Sequence, residues 1–237
     1  MSHESKELWD HLDDFKNLII KAIAAWLLAT AIAFAFKDRL VEIITKPITD
    51  SGQVLHFLSP TDSFFYVIKI CSLAGLVVSL PVLMYLLWQF IAPALLKHEK
   101  KFVVSYIFSV FLFSTIGVAF GFYFLIPSTF GFLLSIKPAN TQLLLTANEY
   151  MNFLFGLLIL MVLMFQTPIV VFGLIRSGLV EKKFFTTRRK EIYFGLMVFM
   201  AAFGSPDVLS WIISTLPVIF LFEAAIMLAN KKTSKPN

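Results

Sequence analysis

The sequence predicts an all-α membrane protein of six transmembrane helices, bent by prolines around a concavity, with helices five and six short and both termini in the cytoplasm. Three observations carry this. The chain is 58% hydrophobic and only 15% charged, where a soluble domain is about a quarter charged. Its apolar residues gather in runs near the ~20 residues that a bilayer requires of a helix. Its lysines and arginines alternate in density between successive loops, as cytoplasmic and outer loops do. No linker or composition shift divides the chain, so residues 1–237 read as one integral membrane domain.

Taken in order, the spans are Leu18–Phe36, Phe64–Ile91, Phe102–Ile126, Tyr150–Ile175, Ile192–Gly204 and Val208–Ala229. The N-terminal MSHESKELWDHLDDFK is acidic and polar. It lacks the basic start and short apolar core of a cleavable signal peptide. Lys21 in span one and Lys69 in span two lie near span ends, where their stems can snorkel. The fifth span is below the usual spanning length and runs straight into SPDVLSW. There Ser205 suits a helix cap, Pro206 its first position and Asp207 the positive end of its dipole. Spans five and six are therefore expected to form a tight hairpin that thins the membrane. Pro81, Pro93, Pro127, Pro168 and Pro217 fall in or beside spans; each removes a backbone donor and tends to kink its helix.

Orientation follows from the cations. Lys6, Lys16 and Lys21 precede or open span one. Lys97, Lys100 and Lys101 follow span two, six basic residues from Arg176 to Lys190 follow span four, and Lys231, Lys232 and Lys235 end the chain. The other side carries Lys37, Arg39 and Lys46 in a longer loop, and Lys137.

The single Cys71 allows no internal disulfide, and His3, His11, His56 and His98 are scattered. No phosphate loop, dinucleotide glycine pattern or nucleophile elbow is present. The expectation is a protein that is not an enzyme, with no metal, no cofactor and no nucleic acid, either a small six-span secondary transporter or a handler of other polypeptides. Polar residues inside the spans are the candidates for function, because charge in hydrocarbon costs about 2.5 kcal/mol or more. Glu223 in VIFLFEAAIML must be protonated, paired or facing a wet cavity, and Lys21 lies at a compatible depth. Gln166 in MFQTPIV either bonds another helix or forms a polar spot in a cavity wall.

One stretch stands apart. FIAPALLKHEKK, residues 90–101, sets the lone acid Glu99 among three lysines between two apolar runs. On its own it reads either as a solvated loop acid or as an acid held at the membrane edge for a cation.

This stretch resembles the hallmark segment of the TatC family, the receptor and core subunit of the twin-arginine protein translocase. HLDDFK resembles the family's N-terminal cytoplasmic motif, TKPIT its first outer-loop proline motif at Pro47, and LSPTDSFFYVIKI the entry to its second helix. SPDVLSW…LPVIFLFE, from Ser205 through Asp207 to Glu223, resembles its final hairpin. The resemblance implies six helices curved into a cup in the cell (inner) membrane of a prokaryote. It implies binding of twin-arginine signal peptides of folded precursors at the cytoplasmic face, with single-span TatA/TatB-type subunits as partners in an oligomeric complex. Transport is then driven by the proton gradient. By the same resemblance Glu99 is the main acceptor and Asp14 the second. Phe90, Pro93, His11, Leu12 and Lys16 lie in the two binding motifs. The chain departs from the family pattern at Asp14, where glutamate is usual, and at Phe15 and Lys16. It departs again at Gln166, where glutamate often occurs, and at Trp211.

Overall fold

The computed structural model describes residues 3–91, 103–138, 144–204 and 207–229, with side chains from residue 13 onward except at 87, 88, 90, 91 and 103–105. Helices dominate: α1 His3–Phe34, α2 Lys37–Asp50, α3 Pro60–Ile91, α4 Val103–Phe120, α5 Ile126–Ser135, α6 Ala147–Met164, α7 Thr167–Arg176, α8 Lys182–Thr187, α9 Arg189–Phe203 and α10 Val208–Leu228. A π-helical turn, Gly121–Leu125, joins α4 to α5.

Among the described residues five stretches are long and apolar enough to cross a membrane: Asp13–Phe34, Pro60–Leu86, Tyr106–Ser135, Ala147–Arg176 and Val208–Leu228. The remaining expected span is α9, whose 15 residues rise about 22 Å against a ~30 Å hydrocarbon core. Apolar side chains are exposed along these helices, Leu28 at 65% and Phe220 at 69% among them, as befits surfaces solvated by lipid rather than water.

Two prolines coincide with breaks, each for a local reason. Pro127 cannot donate to the carbonyl four residues back. Just before it the backbone widens into the π turn, closed by the Ile126 N–H on the Gly121 carbonyl. Pro168 likewise separates α6 from α7. The gap is bridged by Gln166 N–H to the Leu163 carbonyl at 3.1 Å, and the Gln166 carbonyl accepts from both Ile169 and Val170 at 3.0 Å. Pro81 and Pro217 instead sit inside helices that continue past them. Pro93 lies outside the described residues.

Residues 37–50, expected from hydropathy to be a loop, form the helix α2, with Pro47 inside it. Leu40, Ile44 and Ile48 repeat at helical spacing, and Ile44 and Ile48 are buried while Arg39 and Glu42 pair on the exposed side at 3.5 Å. Helix α3 begins with the carboxylate half of a capping box. Asp62 Oδ2 accepts from the N–H groups of Leu58 (3.0 Å) and Ser59 (2.9 Å), and Pro60 takes the first helical position. At α10 the cap is Asp207, not the Ser205 expected from sequence. Its backbone is extended and its carboxylate accepts from Ser210 N–H at 2.7 Å, a role aspartate fills as well as serine.

The chain divides into two compact units, Met1–Lys46 with Phe57–Leu112, and Pro47–His56 with Phe113–Asn237. In the first, α1 packs along α3. Trp26 Nε1 donates to the Ser72 carbonyl at 2.9 Å, and Gly75 lies directly against Thr30. In the second, Gly117 and Gly121 bring their helix onto α6, where an added Cβ at Gly117 would meet the Met161 carbonyl oxygen at 2.9 Å. Helix α10 packs against α7 and α9, and a buried Thr129–Ser210 hydroxyl contact of 2.6 Å links α5 to α10. His56 pairs with Thr146, donating to the Leu145 carbonyl at 2.9 Å and accepting from Ala147 at 3.0 Å.

Candidate functional site

The expected binding residues fall into two groups. Glu99 and Pro93 lie outside the described residues, as do the side chains of His11, Leu12 and Phe90, whose backbones belong to α1 and α3. Asp14 and Lys16 are described and both are exposed on α1. Lys16 is taken by Asp13 at 3.3 Å. Asp14 has no ion pair among the described residues. His11 and Asp14 stand three residues apart and share a helix face.

The polar residues inside apolar helices are more fully placed. Gln166 sits at the break between α6 and α7. Its Nε2 donates to Ser114 Oγ at 2.8 Å and to the Val162 carbonyl at 3.2 Å. The interhelical bond is the arrangement expected of an amide in a span. Its Oε1 is buried with no hydrogen-bond partner among the described residues. Ser114 is fully buried, and sequence alone gave no hint of it.

Glu223 is paired with Arg189 rather than with Lys21. Its Oε2 lies 2.9 Å from Arg189 Nη2, and its Oε1 accepts from the Tyr193 hydroxyl. Glu223 is 23% exposed and Arg189 45%. Both partners come from α9, so one carboxylate ties α9 to α10. The signal was present in the sequence. Arg189 lies sixteen residues before Ser205 and Glu223 seventeen after Pro206, so the two arms of a hairpin bring them to nearly equal depth. Nearer the turn, Trp211 Nε1 donates to the Met197 carbonyl at 2.9 Å and fastens the same two helices.

Glu223→Ala is expected to cost about 1–2 kcal/mol, below the 3–5 kcal/mol of a fully buried pair because Arg189 is half in solvent. In a thermal melt of the detergent-solubilised chain this is a drop of several degrees. A double-mutant cycle with Arg189→Ala should return a coupling near 1 kcal/mol. A coupling of zero would mean that the ion pair holds nothing.

Among the described residues no three His, Cys, Asp or Glu side chains stand together as metal ligands. The described polar groups inside the spans form hydrogen bonds and one interhelical ion pair that hold helices together.

Comparison with known proteins places this geometry. A family model described as Sec-independent protein translocase protein (TatC) matches residues 10–217. The TatC of Aquifex aeolicus is 32% identical over 235 residues, 96% of each chain. The TatC of Escherichia coli is 26% identical over 226 residues, 94% of this chain and 88% of that one. A crystal structure of the twin-arginine translocase receptor TatC in DDM superposes with a TM-score of 0.81 at 29% identity, covering 93% of this chain and all of the other.

Proposed function

The chain belongs to the TatC family, and we propose on that footing that it is the receptor core of a twin-arginine protein translocase. It binds signal peptides bearing consecutive arginines at the cytoplasmic face of a bacterial inner membrane. It passes folded precursors across with single-span TatA/TatB-type partners in an oligomeric complex, driven by the proton gradient. The proposal includes six spans in a single cupped domain over residues 1–237, both termini cytoplasmic and α9 as the short fifth span. It assigns the protein no catalytic step.

The observation that supports it best is the extent of the likeness. The match reaches from the N-terminal motif to the middle of α10, and the structural match to a translocase receptor leaves little of either chain uncovered. A six-span secondary transporter is not favoured beside it. The physical case rests on two guanidiniums, which stay charged at any working pH and present flat donor forks. Carboxylates accept such forks with two parallel bonds. Glu99 is the main acceptor and Asp14 the second, with His11, Leu12, Lys16, Phe90 and Pro93 around them.

Photocrosslinking from positions 14 and 99 tests this. A photoreactive residue at either site should label a twin-arginine signal peptide, and excess unlabelled peptide should suppress the label. Position 137, assigned to the outer side, should give none. Equal labelling from all three positions would overturn the proposed site.

A further inference from the structure

The connection between α7 and α9 carries six basic residues and one acidic residue from Arg176 to Lys190, and the structure gives it a definite shape. Helix α7 ends in a glycine reversal. Gly178, at C′, has φ of 75° and donates to the Ile175 carbonyl at 3.2 Å, and Val180 N–H reaches back over it to the Leu174 carbonyl at 3.2 Å, a glycine C-cap. The short α8 is pinned from inside by Phe185, which is buried edge-on against Phe222 of α10 and joins the cluster of Val171, Ala225 and Ile226. With Phe185 committed inward, Phe184 faces out at 46% exposure, and the Arg188 guanidinium rests over its ring at 5.1 Å.

Between this helix and the turn lies an open pocket of about 570 Å³, lined by Leu179, Val180, Glu181, Lys183, Phe184, Thr187 and Arg188. Lys183 and Thr187 are one helical turn apart, with Arg188 beside them. Neither Lys183 nor Arg188 is in an ion pair among the described residues, whereas the neighbouring Arg189 is held by Glu223. The apolar wall includes Leu179, exposed at 72%. The segment joins two apolar helices, so it stands where hydrocarbon meets water.

We propose that this pocket binds the phosphate headgroup of an anionic phospholipid. Lys183 and Arg188 supply charge-assisted donors, the Thr187 hydroxyl a third, and Leu179 and Phe184 a surface for the top of an acyl chain. Glu181 on the rim disfavours a free multivalent anion, while the excess of cations along the segment favours a lipid of net negative charge over a zwitterionic one. Basic residues beside apolar anchors bind anionic membrane surfaces in this way, and here the backbone holds both sets in place before the lipid arrives.

The test is native mass spectrometry of the full detergent-solubilised chain titrated with phosphatidylglycerol, phosphatidylethanolamine or phosphatidylcholine. The wild type should retain phosphatidylglycerol about tenfold better than either zwitterionic lipid. Lys183→Gln with Arg188→Gln should abolish that preference, while Lys46→Gln with Lys137→Gln should leave it intact. Excess inorganic phosphate should not displace the lipid. Equal retention of the three lipids, an unchanged preference in the Lys183/Arg188 variant, or displacement by phosphate would each overturn the assignment. A second measurement needs no variant: an azide-bearing phosphatidylglycerol should label residues 179–188 of the wild type, and label confined to other segments would overturn the proposal. Signal-peptide crosslinking at positions 14 and 99 is read separately, so either proposal can fail without the other.

Discussion

Glu99→Ala is expected to weaken binding of a twin-arginine peptide about 30- to 100-fold, the largest functional effect of any single side chain in the proposed receptor. A hydrogen bond to a charged group contributes about 1.5–3 kcal/mol, and each 1.4 kcal/mol is tenfold in affinity. A forked guanidinium–carboxylate pair at the membrane edge belongs at the upper end, because screening by water is incomplete there. Glu99→Gln should lose nearly as much, since an amide keeps the size and one acceptor oxygen but not the charge. Asp14→Ala should lose less, about fivefold, because an exposed aspartate is well screened and reaches one methylene less far than glutamate. Fluorescence anisotropy of a labelled signal peptide against the solubilised chain measures all three. The decisive comparison is a peptide with two lysines for the two arginines. Lysine keeps the charge but not the fork, so it should bind the wild type at least tenfold more weakly and lose less on Glu99→Ala. Equal affinity for both peptides would remove the guanidinium from the mechanism and leave plain charge attraction.

Hydropathy made the long helices legible because lipid imposes one rule on every exposed residue, and the rule needs no knowledge of the partner. The same rule hid α2. Residues Lys37–Asp50 carry six charged side chains and a proline, so a search for apolar runs passes over them, although Leu40, Ile44 and Ile48 mark a helical stripe. The breaks at Pro127 and Pro168 were readable because a missing N–H has a local consequence. Pro81 and Pro217 show that the consequence also depends on neighbours that can hold the helix together. The Arg189–Glu223–Tyr193 contacts are tertiary. Depth-matching across the hairpin would have found Arg189, whereas pairing Glu223 with Lys21 by depth alone ignored which helix lies next to α10. Gln166 was legible as a polar residue wanting a partner, but Ser114, fifty-two residues earlier, carries no mark in the sequence. Glu99 is proposed from its motif and not from any geometry, so its role rests on chemistry and family.

Gly75→Leu is expected to separate α1 from α3 and to cause the largest loss of stability of any single substitution in the first unit. A Cβ built at Gly75 would lie 2.6 Å from the Thr30 backbone nitrogen and 2.7 Å from its Cα. These are backbone atoms, so no change of rotamer relieves the clash. Within the bilayer no water is released when helices meet, and association depends on close van der Waals contact through small residues. Here Ala25, Ala29 and Ala33 of α1 accompany Thr30, and the Trp26–Ser72 hydrogen bond of 2.9 Å depends on the same close approach. Moving the helices apart forfeits both. Overpacking costs about 1–3 kcal/mol; leucine should reach the top of that range and alanine its middle, read as a fall in the melting temperature of the solubilised chain. Thr30→Ala should restore only part of the Gly75→Ala loss, because it removes Oγ1 and leaves the offending backbone in place. Gly131→Ala in α5 is the matched control: nothing lies within 4 Å of its Cβ position, so the change should be neutral or stabilising by up to about 1 kcal/mol through helix propensity. If Gly75→Leu melted no lower than Gly131→Ala, the contact between α1 and α3 would have to be looser than the structure makes it, and the rigid footing of Asp14 on α1 would go with it.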